Sequence, residues 1–294
     1  MIGWAWRASA QMDEGWRLRS KFVRSALRHG QAASRLQQAT AHSPLGKLIQ
    51  EWPDTVGYLL WPYQCAAWNA SERLARIEEH LAVLHKLPGL QLAPEDKLIL
   101  ADLESISPDV CLVIDRAKWL SREGLLTLSL FKGDFRAFTM SFSLFNWPEL
   151  EIFIGGIQGR QGEDVLSLYR DLTKDFQGTR PRDFLLEAMR LFAISIGAKH
   201  IYAVADAYKI SRHDYFGRRG AHGLFYDEIW QERGGVKVAD THFELPLAGT
   251  RRDLDEIPSK KRSMYRRRYE MLDEIGASMP TDLAMAERSQ FDAK

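Results

Sequence analysis

The sequence predicts an α/β chain of the α+β kind, in which a helical N-terminal region leads into a mixed, largely antiparallel sheet with flanking helices. Three observations predict it. Apolar residues recur at helical spacing from Trp16 to about Lys86, between long charged side chains. From Ala101 onward, β-branched and aromatic residues gather in short dense runs bounded by Gly, Pro and Asn. Beyond those runs, two amphipathic stretches precede another apolar run, the order strand, helix, helix, strand of a parallel crossover.

The helical region reads from FVRSALRHGQAASRLQQA and ASERLARIEEHLAVLHKL, with Pro88 and Gly89 closing the last helix. Between them, SPLGKLIQEWPDTVGYLLWPYQ is aromatic and carries Pro53 and Pro62, which predicts a connecting segment. VCLVID is a compact strand, and LLTLSLFKGDFRAFTMSFSLF is two strands joined by a turn at Lys132, Gly133 and Asp134. After Asn146, Trp147 and Pro148, ELEIFIGGIQG extends the hairpin into a meander. GEDVLSLYRDLTKDF and PRDFLLEAMRLFAISIG are helices, with Pro181 in a first turn and Gly197 at a C-terminus. KHIYAVAD is a buried strand, VADTHFELPLA a final strand, and YRRRYEMLDEI a helix before a loosely ordered end. These readings divide the chain into a helical region at 1–100, a mixed core at 101–256 and a basic helix and tail at 257–294.

The 294 residues are 45% hydrophobic and 27% charged, enough to bury a sizeable core. With 40 Lys and Arg against 39 Asp and Glu, any preference for nucleic acid or membrane must be local. Cys65 and Cys111 are too few for a disulfide framework or a cysteine-rich zinc site. No long apolar run and no signal-type N-terminus occur, so the expectation is a soluble cytoplasmic protein without a transmembrane segment. No metal is expected, because HExxH and CxxC are absent and His200, His213, His222 and His242 are scattered.

Several stretches together resemble one family: LLWPYQ, ERLARIEEH, LYRDLTKDFQGTRPRDFLLEAMR, FYDEIWQERGG, FELPL and RRDLDEIPSKKRSMYRRRYEMLD. They are similar to the VirK/YbjX family of Gram-negative bacteria, catalogued as a domain of unknown function, from about Leu60 to Asp273. The resemblance implies a link to virulence and resistance to antimicrobial peptides, and it brings no catalytic residues with it. The order of the core is also similar to GNAT acyltransferases, in which a strand splays from its neighbour and a helix N-terminus holds pyrophosphate. Gly155, Gly156, Gly159 and Gly162 would be the cofactor-binding turn in that arrangement, and they read equally as glycines at a strand end and helix cap. Departures are the missing Q/R-x-x-G-x-G/A loop and a second helix in the crossover; a variant using aminoacyl-tRNA in place of acyl-CoA escapes the first.

A polar cluster follows the strand that ends near Asp206, where open α/β sheets place ligands. His213 is the candidate base, Asp206 or Asp214 its orienting carboxylate, Tyr215 a proton donor, and Arg212, Arg218, Arg219 and His222 would hold an anionic substrate. The same residues also read as a polar surface loop. Tyr226 and Trp230, with Phe225 and Ile229 beside them, read as core more readily than as a stacking platform. Between Ile257 and Tyr269, Lys260, Lys261, Arg262, Arg266, Arg267 and Arg268 stand without an acid. Such a run binds phosphates, with Arg262 and Arg266 the substrate contacts and Tyr265 and Tyr269 aromatic faces between them, or else it is a solvated face balanced by neighbouring acids. The functional expectation is transfer of an acyl or aminoacyl group to a small-molecule or peptide amine, with acyl-CoA or aminoacyl-tRNA as donor. The alternative is a non-catalytic virulence or antimicrobial-peptide-resistance factor that engages an anionic partner through its basic C-terminal segment, with tRNA or another phosphate-bearing ligand among the candidate partners.

Overall fold

A computed structural model describes residues 1–12, 15–216 and 224–289. The chain opens with α1 (Ile2–Ala8), a 3-10 turn at Ser9–Met12, α2 (Trp16–Arg28) and α3 (Gly30–Gln38). The aromatic segment expected to be a connection is itself largely helical. Ser43 accepts a hydrogen bond from the Gly46 N–H and starts α4 (Pro44–Glu51), whose Pro44 suits the first turn. A 3-10 stretch, Pro53–Leu59, follows it. α5 (Ala70–Lys86) begins at a reciprocal capping box, in which Asn69 accepts from the Ser71 and Glu72 N–H groups and Glu72 accepts from the Asn69 N–H. Asn69→Ala is expected to lower stability by about 1 kcal/mol in urea denaturation, and an unchanged midpoint would show that water replaces the cap.

The core is a sheet of nine strands among the described residues, in the order β7-β8-β6-β5-β4-β3-β2-β1-β9. β1 (Lys97–Asp102), β2 (Val110–Asp115), β3 (Leu126–Lys132), β4 (Phe135–Phe145) and β5 (Glu151–Gly159) form an antiparallel meander. The turn between β3 and β4 falls where expected, with Gly133 at φ +55°. α6 (Glu163–Asp175) and α7 (Pro181–Ser195) cross over to β6 (His200–Val204), which pairs parallel to β5. After α8 (Tyr226–Glu232), the expected last strand is two: β7 (Val236–Ala239) and β8 (His242–Leu245) form a hairpin, and β8 rather than β7 lies beside β6. α9 (Ser259–Ser278) packs on α7, and the following segment ends in β9 (Arg288–Ser289) on the β1 edge, where a loose end was expected.

Cross-strand partners on β4 and β5 divide the sheet into two faces. On one, Phe142 meets Phe192 of α7 and Phe138 meets Tyr169 of α6. On the other, the Tyr63 hydroxyl bonds Ser143, and Phe153 packs on Trp68. A second apolar cluster, around Phe22, Leu48, Trp61 and Ile77, joins the N-terminal helices. Trp230, Tyr226 and Ile229 are core residues as expected, whereas Phe225 is exposed. Both cysteines are free thiols, and no described helix is long and apolar enough to cross a membrane.

Candidate functional site

The site is built where β5 outruns β6. The two strands pair from Glu151 with His200 to Ile154 with Ala203, and β6 ends one residue later while β5 continues to Gly159. At that point β5 carries a bulge: Ser141 faces Gly156 and Phe142 faces Ile154, so Gly155 is one residue extra. Past the bulge, the Ile157 N–H donates to the Tyr226 hydroxyl, 3.0 Å away, which satisfies a backbone group that β6 no longer reaches.

Against the bulge lies Glu123, in the short segment after the 3-10 turn Lys118–Leu120. A Cβ on Gly156 would sit 2.0 Å from the Glu123 carboxylate, and one on Gly155 would sit 2.1 Å from the Glu123 carbonyl oxygen. The two glycines therefore make room for this residue. Gly124 has the same role against the Phe142 backbone, which lets the segment tuck onto β4. Gln158 donates from Nε2 to both Glu123 oxygens at 2.8 Å. Burial pushes the Glu123 carboxyl up to about 7, although the Gln158 hydrogen bond and the Lys209 cation oppose the shift. A carboxyl that exchanges its proton near neutral pH suits general acid–base chemistry.

Glu123 opens into a cleft of about 720 Å³. Arg122 stacks on Trp61 at 4.0 Å and on Tyr215 at 5.2 Å, forming a cationic and aromatic wall. Trp119, Ser211 and Phe216 complete the opening. Gln64, fully buried beside Gly155, donates to the Phe153 carbonyl while its Oε1 has no hydrogen-bond partner among the described residues.

The residues expected to act are distributed around this cleft. Tyr215 packs on Trp61 and Arg122 of the wall but does not itself line the cleft. Asp206 does not touch His213: it holds Lys209 at 2.9 Å and Arg212 at 3.0 Å. Burial works to raise Asp206, but hydrogen bonds from Lys209, the Tyr226 N–H and Arg212 outweigh it and leave the carboxyl below its ordinary value. His213 accepts from the Tyr215 N–H at Nδ1 and faces Arg73 at 3.4 Å, so burial and then the Arg73 charge lower its pKa. Gly159 lies beside Phe138 and Tyr169, and Gly162, at φ +136°, begins α6. Arg262 bonds the carbonyls of Ile257 and Asp255, and Arg266 is exposed on α9; neither lines the cleft. Arg218, Arg219 and His222 lie outside the described residues. No group of three or more His, Cys, Asp or Glu positioned for a metal ion occurs among the described residues.

Glu123 was not among the residues singled out in the sequence. The signal that pointed to it was the pair Gly155-Gly156 inside a strand, which marks a close approach by something else.

A family model described as Protein of unknown function (DUF535) matches residues 12–281. An uncharacterized protein of Escherichia coli K12, YbjX, is 30% identical over 280 residues, spanning 90% of this chain and 82% of that protein. Two uncharacterized proteins of Haemophilus influenzae are 30% and 28% identical over 219 residues, spanning 71% and 74% of this chain and 70% and 72% of theirs. No solved structure matches.

Proposed function

The chain belongs to the DUF535 family of proteins of unknown function, and on that premise we propose that it is a cytoplasmic GNAT-like transferase moving an acyl or aminoacyl group to an amine, with Glu123 as the base. The observation that carries this reading is the parting of β5 from β6 at the Gly155 bulge, directly beside a carboxyl with a pKa of about 7. An antiparallel meander followed by a helical crossover to a parallel strand, an order similar to that of GNAT acyltransferases, supports the reading. In the transfer step the amine nitrogen attacks the donor carbonyl and the new C–N bond forms. The nitrogen's proton passes to Glu123, and the thioester C–S or ester C–O bond breaks. The proton held by Glu123 is then available to the departing thiolate or ribose oxygen.

Glu163 and Asp164 occupy the first turn of α6, where their charge opposes a pyrophosphate. That favours a donor recognised elsewhere, as aminoacyl-tRNA is, over one anchored there as CoA is. A second reading, a non-catalytic virulence or peptide-resistance factor that binds an anionic partner, is favoured by the exposure of Lys260, Lys261, Arg266 and Arg267 on α9.

The test is turnover with acetyl-CoA, palmitoyl-CoA and a mixture of charged tRNAs, each offered with primary amines, for the wild type and Glu123→Gln. Wild-type amide formation is expected with at least one donor, and the variant is expected to lose about 10²- to 10⁴-fold in rate with donor affinity retained. Equal turnover by the variant removes Glu123 as base. A wild type that neither binds nor consumes any of the donors removes the transferase.

A further inference from the structure

A second cleft lies on the opposite face of the sheet from Glu123 and shares none of its lining residues. It is enclosed by α7, α9 and the segment 247–252 after β8, with a volume of about 420 Å³. Its lining holds five guanidinium groups, Arg190, Arg233, Arg251, Arg252 and Arg268, against two carboxylates, Glu187 and Asp273. The carboxylates are already committed: Glu187 to Arg190 at 2.8 Å and Asp273 to Arg251 at 2.8 Å. Arg233 is held by Asp183 from outside the cleft.

Among the described residues, Arg252 and Arg268 have carbonyl hydrogen-bond partners alone. Arg252 reaches the Glu256 carbonyl at 3.4 Å, and Arg268 places Nε and a terminal nitrogen on the Gln177 carbonyl at 3.1 and 2.7 Å. Neither contact neutralises a charge. Arg268 is further fixed by lying on the Tyr265 ring at 4.4 Å, and Tyr269 holds the Arg252 backbone N–H at 3.0 Å. The two cations are therefore held at one opening by a helix and a loop that are tied together.

Three polar atoms of lining residues also lack partners among the described residues: Thr179 Oγ1, Arg190 Nε and Arg233 Nε. Arg190 is only 2% exposed and Thr179 8%. Buried donors are normally satisfied, and these belong to residues lining the same cleft as the two guanidinium groups without a carboxylate partner. A ligand that answers both features carries about two negative charges and several acceptor oxygens. A carboxylate supplies one charge and two oxygens, whereas a phosphate ester or diphosphate supplies what is missing, in the geometry that guanidinium groups favour.

We propose that this cleft is a binding site for a small phosphate-bearing molecule, a phosphomonoester or diphosphate, independent of the chemistry at Glu123. Arg252 and Arg268 supply the charge, and Thr179, Arg190 and Arg233 add donors at the walls.

The experiment titrates the full chain with inorganic phosphate, pyrophosphate, acetate and a single-stranded RNA oligonucleotide at constant ionic strength, reading calorimetric binding and thermal shift. Saturable binding of phosphate or pyrophosphate is expected, with none for acetate. Arg252→Gln, which removes one long contact to a carbonyl made by an exposed side chain, is expected to fold and to weaken binding roughly tenfold or more. Glu123→Gln is expected to bind as the wild type does. Arg268→Gln gives a second reading of the site if it folds, and Arg252→Gln decides alone if it does not. No saturable response, equal binding by Arg252→Gln, or a response to RNA without one to pyrophosphate overturns the proposal.

Discussion

Arg136→Met is expected to lower the stability of the folded protein by about 3–5 kcal/mol. Arg136 and Asp115 form an ion pair on the sheet face that carries the polar side chains, and their side chains are 4% and 6% exposed. A second contact joins Arg136 to the other Asp115 oxygen at 3.2 Å, Ser129 accepts from the same guanidinium, and Thr127 donates to Asp115. Three consecutive strands, β2, β3 and β4, thus share one charge network. Removing the cation leaves a carboxylate enclosed without a counterion, and that uncompensated charge, more than the lost attraction, sets the size of the effect. Asp115→Leu combined with Arg136→Met is accordingly expected to cost much less than the sum of the single changes. Urea denaturation of the two single variants and the double variant measures the coupling. Strict additivity would show that the pair contributes nothing as a pair.

The second large effect is on the pH dependence. The folded Glu123 carboxyl titrates near 7 against an ordinary value of 4.5. Between those values the folded protein keeps a proton that the unfolded chain has released, so this residue makes stability fall as pH rises through the window, with the full cost present above it. Solvent reaching Glu123 through the cleft moderates the cost to on the order of 1–2 kcal/mol. Glu123→Gln is therefore expected to be more stable than the wild type at pH 8 and no more stable at pH 4.5. His80 acts in the opposite sense: burial holds its ring at about 3, so its contribution is lost as pH falls below 6.5. Both proteins carry His80, and the difference between their melting curves isolates Glu123. A difference that does not change with pH would mean that Glu123 is ionised throughout. A residue that lowers stability at neutral pH and sits at a cleft is what a stability–activity trade-off leaves behind.

Much of the scaffold was legible because its signals are local. The β3–β4 hairpin announced itself through Gly133, and α7 through Pro181 at its start and Gly197, at φ +71°, after its end. The elements that escaped lack such signals. β7 is an edge strand with Val236 and Val238 exposed, so its apolar residues trace no buried face, and its turn into β8 contains neither Gly nor Pro. β9 contributes two residues, and only the β1 edge gives them a conformation. The site was hidden for a stronger reason. Glu123 and Gln158 are 35 residues apart, and the pKa is raised by a burial that exists only once the fold packs Glu123 against the β5 bulge, with the Gln158 hydrogen bond opposing the shift. The polar run at 211–216 was visible as chemistry, but its partners were not: Arg73 for His213 and Arg122 for Tyr215 come from distant segments.

The extra residue at Gly155 also sets the phase of the strand that carries it. Before the bulge, Ile152 and Ile154 share the α7 side; after it, Ile157 does, and Gln158 turns to Glu123. Even positions become odd. A strand of uniform alternation would present an isoleucine to the carboxylate and an amide to the core, so the length of this segment, as much as its composition, encodes the site. Substitution along β5 is therefore tolerable wherever side-chain class is kept, whereas gain or loss of a single residue between the bulge and Gln158 inverts which side chains face Glu123 and which face the core.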